Sequence, residues 1–134
     1  MRTLLCTLAV LSTACAPSAK KQVELGRDIS QDYIESVCSF WMDETCLENM
    51  REVCGDVFSF RSMDDCVSLY TDLTEYCPDS YFTFLWESEG SVQECIDAID
   101  GWDCDNDPLC TADAGVFDTG PCGQLDKAYN DSCF

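Results

Sequence analysis

Cysteine is the residue type here with the most chemistry open to it: twelve of the 134 residues are cysteine, and none is histidine. Cysteine can bind metal, exchange electrons or cross-link the chain, and spacing separates these uses. Structural zinc calls for paired C-x2–4-C knuckles, often completed by histidine. The closest cysteines, Cys104 and Cys110, have five residues between them. A redox dithiol calls for C-x-x-C, which does not occur. Cysteine at this density in a short chain then reads as a disulfide scaffold in an oxidising compartment.

Without histidine there is no Ser–His or Cys–His couple and no histidine metal site. Small size, many cysteines and helical patterning invite comparison with secreted phospholipase A2. That chemistry rests on a histidine beside an aspartate and is excluded. A Ser–Lys couple would draw on Lys20, Lys21 or Lys127, all in stretches that read as tether or surface. The paired carboxylates of a glycosidase cannot be singled out among 26 acids. Asp103, Asp105 and Asp107 alternate in a turn-like stretch, with Asp97 and Asp100 before them, and are calcium candidates by virtue of their hard oxygen ligands. An EF-hand would need Gly where Pro108 stands and Glu where Ala114 stands, so a solvated acidic turn is the competing reading. No cofactor is expected.

Seven basic residues against 26 acidic ones give a net charge of −19. Such a surface repels nucleic acid and anionic headgroups, which removes nucleic acid as a partner. A disordered acidic chain is the rival, but 46% hydrophobic and 11% aromatic residues argue for a packed core.

The N-terminus accounts for the odd cysteines. Met1-Arg2-Thr3 is a short basic region, Leu4 to Leu11 an apolar run, and Ser12-Thr13-Ala14 are small. This reads as an export signal over 1–14, its apolar run too short to span a bilayer. Leu11-Ser12-Thr13-Ala14-Cys15 resembles a bacterial lipobox, with the aliphatic residue one position further back than usual. That resemblance implies a diacylated Cys15 as the mature N-terminus. Parity agrees. Cys6 leaves with the signal, lipid takes Cys15, and ten cysteines remain for five bridges: Cys38, Cys46, Cys54, Cys66, Cys77, Cys95, Cys104, Cys110, Cys122 and Cys133. Plain secretion, the alternative, strands one thiol. Residues 15–27 then form the lipidated cysteine and a polar tether, and 28–134 the disulfide-rich domain. Ala16 after the modified cysteine resembles lipoproteins sorted to the outer membrane.

The elements that must position these cysteines are helical. Ile29, Tyr33, Val37 and Trp41 recur every four residues, which predicts a helix over about 28–42. Cys46, Leu47, Met50, Val53 and Cys54 make a second stripe, capped by Asp43 or Thr45 and ended by Gly55. Met63, Cys66, Val67, Tyr70, Leu73 and Cys77 make a third, opening at Ser62 and stopping before Pro78. Val92, Cys95, Ile96, Ile99 and Trp102 make a fourth, with Ser91-Val92-Gln93-Glu94 as a capping box and Gly101 near its end. Tyr81-Phe82-Thr83-Phe84-Leu85-Trp86 is a short helix or an apolar loop, read as core payload with an exposed partner patch as the alternative. The predicted core is Val37, Trp41, Leu47, Met50, Val67, Tyr70, Leu73, Ile96 and Ile99, with Glu48, Glu52, Asp72 and Asp97 facing water. At 1.5 Å rise per residue, Cys46–Cys54 and Cys66–Cys77 cannot bridge along their helices. After Asp103 the chain gathers glycine and proline, which predicts a cysteine-pinned irregular tail with a short helix around 124–130. The expected fold is therefore an all-α, disulfide-rich helical bundle with that tail.

Thr45-Cys46-Leu47-Glu48-Asn49-Met50, Asp65-Cys66-Val67-Ser68-Leu69-Tyr70 and Glu94-Cys95-Ile96-Asp97-Ala98-Ile99 form a loose repeat, open to chance or duplication. With the lipobox-like run, this pattern resembles the small cysteine-rich lipoproteins of unknown function found in myxobacteria and related predatory bacteria. The resemblance implies an envelope lipoprotein and brings no catalytic residues. The expected function is a lipid-anchored, non-enzymatic binding or interaction module in the bacterial cell envelope, with an envelope protein or glycan as partner. A secreted hydrolase or hydrolase inhibitor using surface carboxylates is the alternative.

Overall fold

A computed structural model describes residues 16–54, 60–104 and 120–134, apart from the side chains of Val53 and Cys54. Six helices follow in order: α1 (Ala19–Trp41), α2 (Glu44–Cys54), α3 (Met63–Glu75), α4 (Asp79–Glu87), α5 (Glu89–Asp100) and α6 (Gly120–Cys133). The fold is an all-α, disulfide-rich bundle. α1 is its spine, meeting α2, α3, α4 and α5, while α6 lies against α4 and α5.

Local chemistry explains most boundaries. Ser62 caps α3, its hydroxyl accepting from the Asp65 amide at 3.1 Å. Asp43 caps α2 by accepting from the Cys46 amide at 2.9 Å. Pro78, which lacks an amide hydrogen, ends the α3 segment and serves as N-cap of α4. The Ser62 and Asp43 side chains each satisfy a donor that the first helical turn leaves open, whereas Pro78 makes no side-chain cap bond.

Three boundaries differ from the sequence expectation. The stretch read as tether up to residue 27 is helical from Ala19, because Ser18 caps α1 and accepts from the Lys21 amide at 3.3 Å. α5 starts at Glu89, so the Ser91–Glu94 box lies inside the helix and is not a cap; Ser88 both ends α4 and starts α5. The tail carries a 14-residue helix, α6, longer than the one expected around 124–130.

The main core gathers Val37, Phe40, Leu47, Met50, Phe82, Leu85, Val92 and Ile99 around three bridges, and a smaller cluster packs Ile34 on Cys38 and Cys66. Tyr81, Phe82 and Leu85 are buried, so the aromatic run is core and its helix is amphipathic. Trp41, Val67, Tyr70 and Ile96 are partly buried at the edges of these clusters. Leu73 departs from the predicted core at 39% exposed. α3 packs chiefly on α1, so it buries a narrow stripe through Cys66 and Tyr70, and Leu73 lies on the flank. Glu48, Glu52, Asp72 and Asp97 face water.

Among the described residues four bridges cross-link the elements: Cys38–Cys66 (α1 to α3), Cys46–Cys104 (α2 to the segment just after α5), Cys77–Cys133 (the α3–α4 turn to the end of α6) and Cys95–Cys122 (α5 to α6). Their Cα separations are 5.8, 5.0, 4.6 and 4.8 Å, inside the reach of a disulfide. Every one joins residues distant in sequence, and neither along-helix pair occurs.

A tyrosine-lined cleft as candidate functional site

Helix α1 turns Tyr33, Val37 and Trp41 to one side, four residues apart and therefore stacked along one face. α3 brings Tyr70 and Thr74 to that face, α4 brings Tyr81, and α6 brings Leu125, Asp126 and Tyr129. Together they enclose a half-open cleft of about 170 Å³. Ile34, Val37 and Leu125 make its apolar floor, and Ser30 and Thr74 add hydroxyls.

The aromatic wall is tied together. Tyr81 and Tyr129 meet edge to face with centroids 5.8 Å apart, which joins α4 to α6. Phe134 packs on the far side of Tyr129 at 5.5 Å. Trp41 from α1 and Tyr70 from α3 line the same wall. The Cys77–Cys133 and Cys38–Cys66 bridges lock the same two seams covalently.

Electrostatics keep the phenols neutral. Burial, with the Asp126 carboxylate and Tyr70 nearby, pushes the Tyr33 hydroxyl up to about 12. Burial, then Tyr33, Tyr129 and Asp126, raises Tyr81 further still. Burial also raises Tyr70 and Tyr129. The four hydroxyls therefore act as neutral donors and acceptors at neutral pH. Asp126 is the one charged residue of the lining among the described residues. Its Oδ2 accepts from Asn130 Nδ2 at 3.1 Å, which orients the carboxylate on α6.

The residues singled out in the sequence fall elsewhere. Cys38, Cys46, Cys66, Cys77, Cys95, Cys104, Cys122 and Cys133 are all bridged, and they frame the cleft without lining it. Cys15 and Cys110 lie outside the described residues, as does the side chain of Cys54. Asp103 is exposed, and Asp105 and Asp107 lie outside the described residues. Among the described residues no three side chains of metal-binding type converge, and no helix is long and apolar enough to cross a membrane. Sequence reasoning placed Tyr70 and Trp41 in the core and gave no role to Tyr129 or Asp126. Tyr33, Val37 and Trp41 at helical spacing were the visible part of the signal. The rest comes from which helices meet. The chain matches no protein-family model, no curated protein and no solved structure, so the functional reading rests on this cleft.

Proposed function

We propose that this chain is a lipid-anchored, non-enzymatic binding module of the bacterial cell envelope, holding a small ligand or an envelope partner's side chain in its tyrosine cleft. The preformed cleft carries this reading. Ligand sites are concave, mainly apolar and equipped with a few fixed polar groups, and this one has those features on helices that bridges hold in place. A hydrolase working through two carboxylates would need a second acid beside Asp126, and the cleft lining offers none among the described residues, which favours binding over turnover.

Anchoring is supported by the pairing pattern. Eight of the ten cysteines assigned to the domain bond to one another, so those eight offer Cys15 no partner. With α1 starting at Ala19, a lipid on Cys15 would hold the bundle close to the membrane. The cleft residues of α1 begin at Ser30, eleven residues further on, or roughly 16 Å along the helix at its normal rise.

Two measurements test this reading. Metabolic labelling with a fatty-acid analogue is expected to mark the wild type, while Cys15→Ser is expected to lose both the label and membrane association with the domain still folded. An unlabelled wild type would point to plain secretion. For binding, a small-molecule screen on the oxidised protein is expected to shift aromatic resonances of Tyr33, Trp41 and Tyr129. Turnover of a peptidoglycan, glycan or protein substrate that one carboxylate-to-amide change abolishes would overturn the binding reading.

A further inference from the structure

We propose that the cleft takes a methylated ammonium group, with Asp126 as its counter-ion. The inference rests on the cleft being a binding site and adds the chemical class of what enters it.

Size comes first. A cavity of roughly 150 Å³ holds one benzene-sized molecule, so about 170 Å³ admits a single compact group and neither a sugar chain nor a folded peptide. Charge comes second. Among the described residues Asp126 is the one charged group of the lining, and no lysine or arginine of that lining offsets it. The nearest candidates are engaged elsewhere. Lys127 pairs with Asp131, and the Arg27 guanidinium sits 4.0 Å over the Phe82 ring and 3.8 Å from Asp79. A net charge of −19 raises the local concentration of cations and repels anions.

The walls then select among cations. Tyr33, Trp41, Tyr70, Tyr81 and Tyr129 supply five aromatic rings, whose quadrupoles attract a cation held against them. A bare ammonium is strongly hydrated, and on entering it must exchange that water for the scattered hydroxyls of the tyrosines, Ser30 and Thr74 and the Asp126 carboxylate, all aligned at once with its three N–H donors. A fully methylated, quaternary nitrogen presents only C–H groups, gives up water readily and still carries its charge to Asp126. Aromatic cages of this composition are a recurrent solution for quaternary ammonium ligands.

The test compares choline with 3,3-dimethylbutan-1-ol, which has the same shape without the charge, by calorimetry on the oxidised full chain at constant ionic strength. Choline is expected to bind at least tenfold more tightly, and Asp126→Asn is expected to close that gap while leaving the alcohol's affinity unchanged. Asp126 is exposed on α6, so the variant keeps the fold. Equal affinity for the two probes overturns the cation inference and leaves the cleft as an apolar binding site. Unchanged choline affinity in Asp126→Asn also overturns it. Binding of neither probe, with no shift of the Tyr33, Trp41 or Tyr129 resonances, removes both the inference and the cleft reading beneath it.

Discussion

At Gly26 the backbones of α1 and α4 come close: a Cβ built on it would stand 1.8 Å from the Phe82 carbonyl oxygen. In an ordinary helix interior Gly→Ala stabilises by about 1 kcal/mol. Here the obstacle is backbone, which cannot rotate aside, so the clash outweighs the propensity. Gly26→Ala is expected to destabilise the domain by roughly 1–3 kcal/mol in denaturant unfolding, the usual range for overpacking. Gly90, with nothing within 4 Å of its built Cβ, is the control, and Gly90→Ala is expected to be neutral or mildly stabilising. The cleft phenols give a second prediction at this scale. Tyr33 is raised from 10.0 to about 12, and Tyr81 is raised further. Below pH 10 both folded and unfolded chains keep these protons. Above it the unfolded chain releases them while the folded chain holds them, so stability falls as pH rises from 10 towards 12. Denaturant unfolding between about pH 9 and about pH 11 is expected to show that decline, and Tyr33→Phe to flatten it. A curve unchanged by the substitution would mean that Tyr33 titrates alike in both states.

Among the elements, α6 depends most on its cross-links. It reaches α5 through Cys95–Cys122 and the α3–α4 turn through Cys77–Cys133, with Tyr129 on Tyr81 between them. The Cys77–Cys133 bridge spans 56 residues, and a loop of that size corresponds to roughly 4 kcal/mol in the chain-entropy treatment. Cys77→Ser combined with Cys133→Ser is expected to lower unfolding stability by that order and to broaden the Tyr129 resonances. Unaltered stability would mean that the other bridge and the packing hold α6 alone. The elements also show what a sequence can disclose. Ser62, Asp43 and Pro78 mark helix ends because capping and a missing amide act over a few residues. The polar face of residues 19–27 hid the start of α1, since Gly26 looks like linker until Phe82 is known to lie across from it. Ser91–Glu94 has the pattern of a cap, yet α4 passes into α5 through Ser88 with almost no break. Leu73 fits the helical period, but period alone does not say that α3 packs chiefly on one neighbour.

For the whole molecule, the bridges decide which helices are neighbours, and those neighbours make the cleft. Its walls come from α1, α3, α4 and α6, separated by up to about 100 residues, so Asp126 and Tyr33 could not be associated from spacing. Hydrophobic periodicity established that the cysteines lie on buried stripes and bridge between helices; which cysteine finds which needed the packed chain. With four pairs formed among the described residues and Cys15 taken by lipid as proposed, parity leaves Cys54 and Cys110 for each other, and that fifth bridge is a prediction of the count together with the lipid anchor. Proteolysis without reduction, followed by mass spectrometry of the linked peptides, tests directly whether the frame is built between helices. The expected map is Cys38–Cys66, Cys46–Cys104, Cys77–Cys133 and Cys95–Cys122, with Cys54–Cys110 completing it. An intact Cys46–Cys54 or Cys66–Cys77 peptide would contradict it, because either bond requires the intervening helix, and with it a wall or support of the cleft, to be absent.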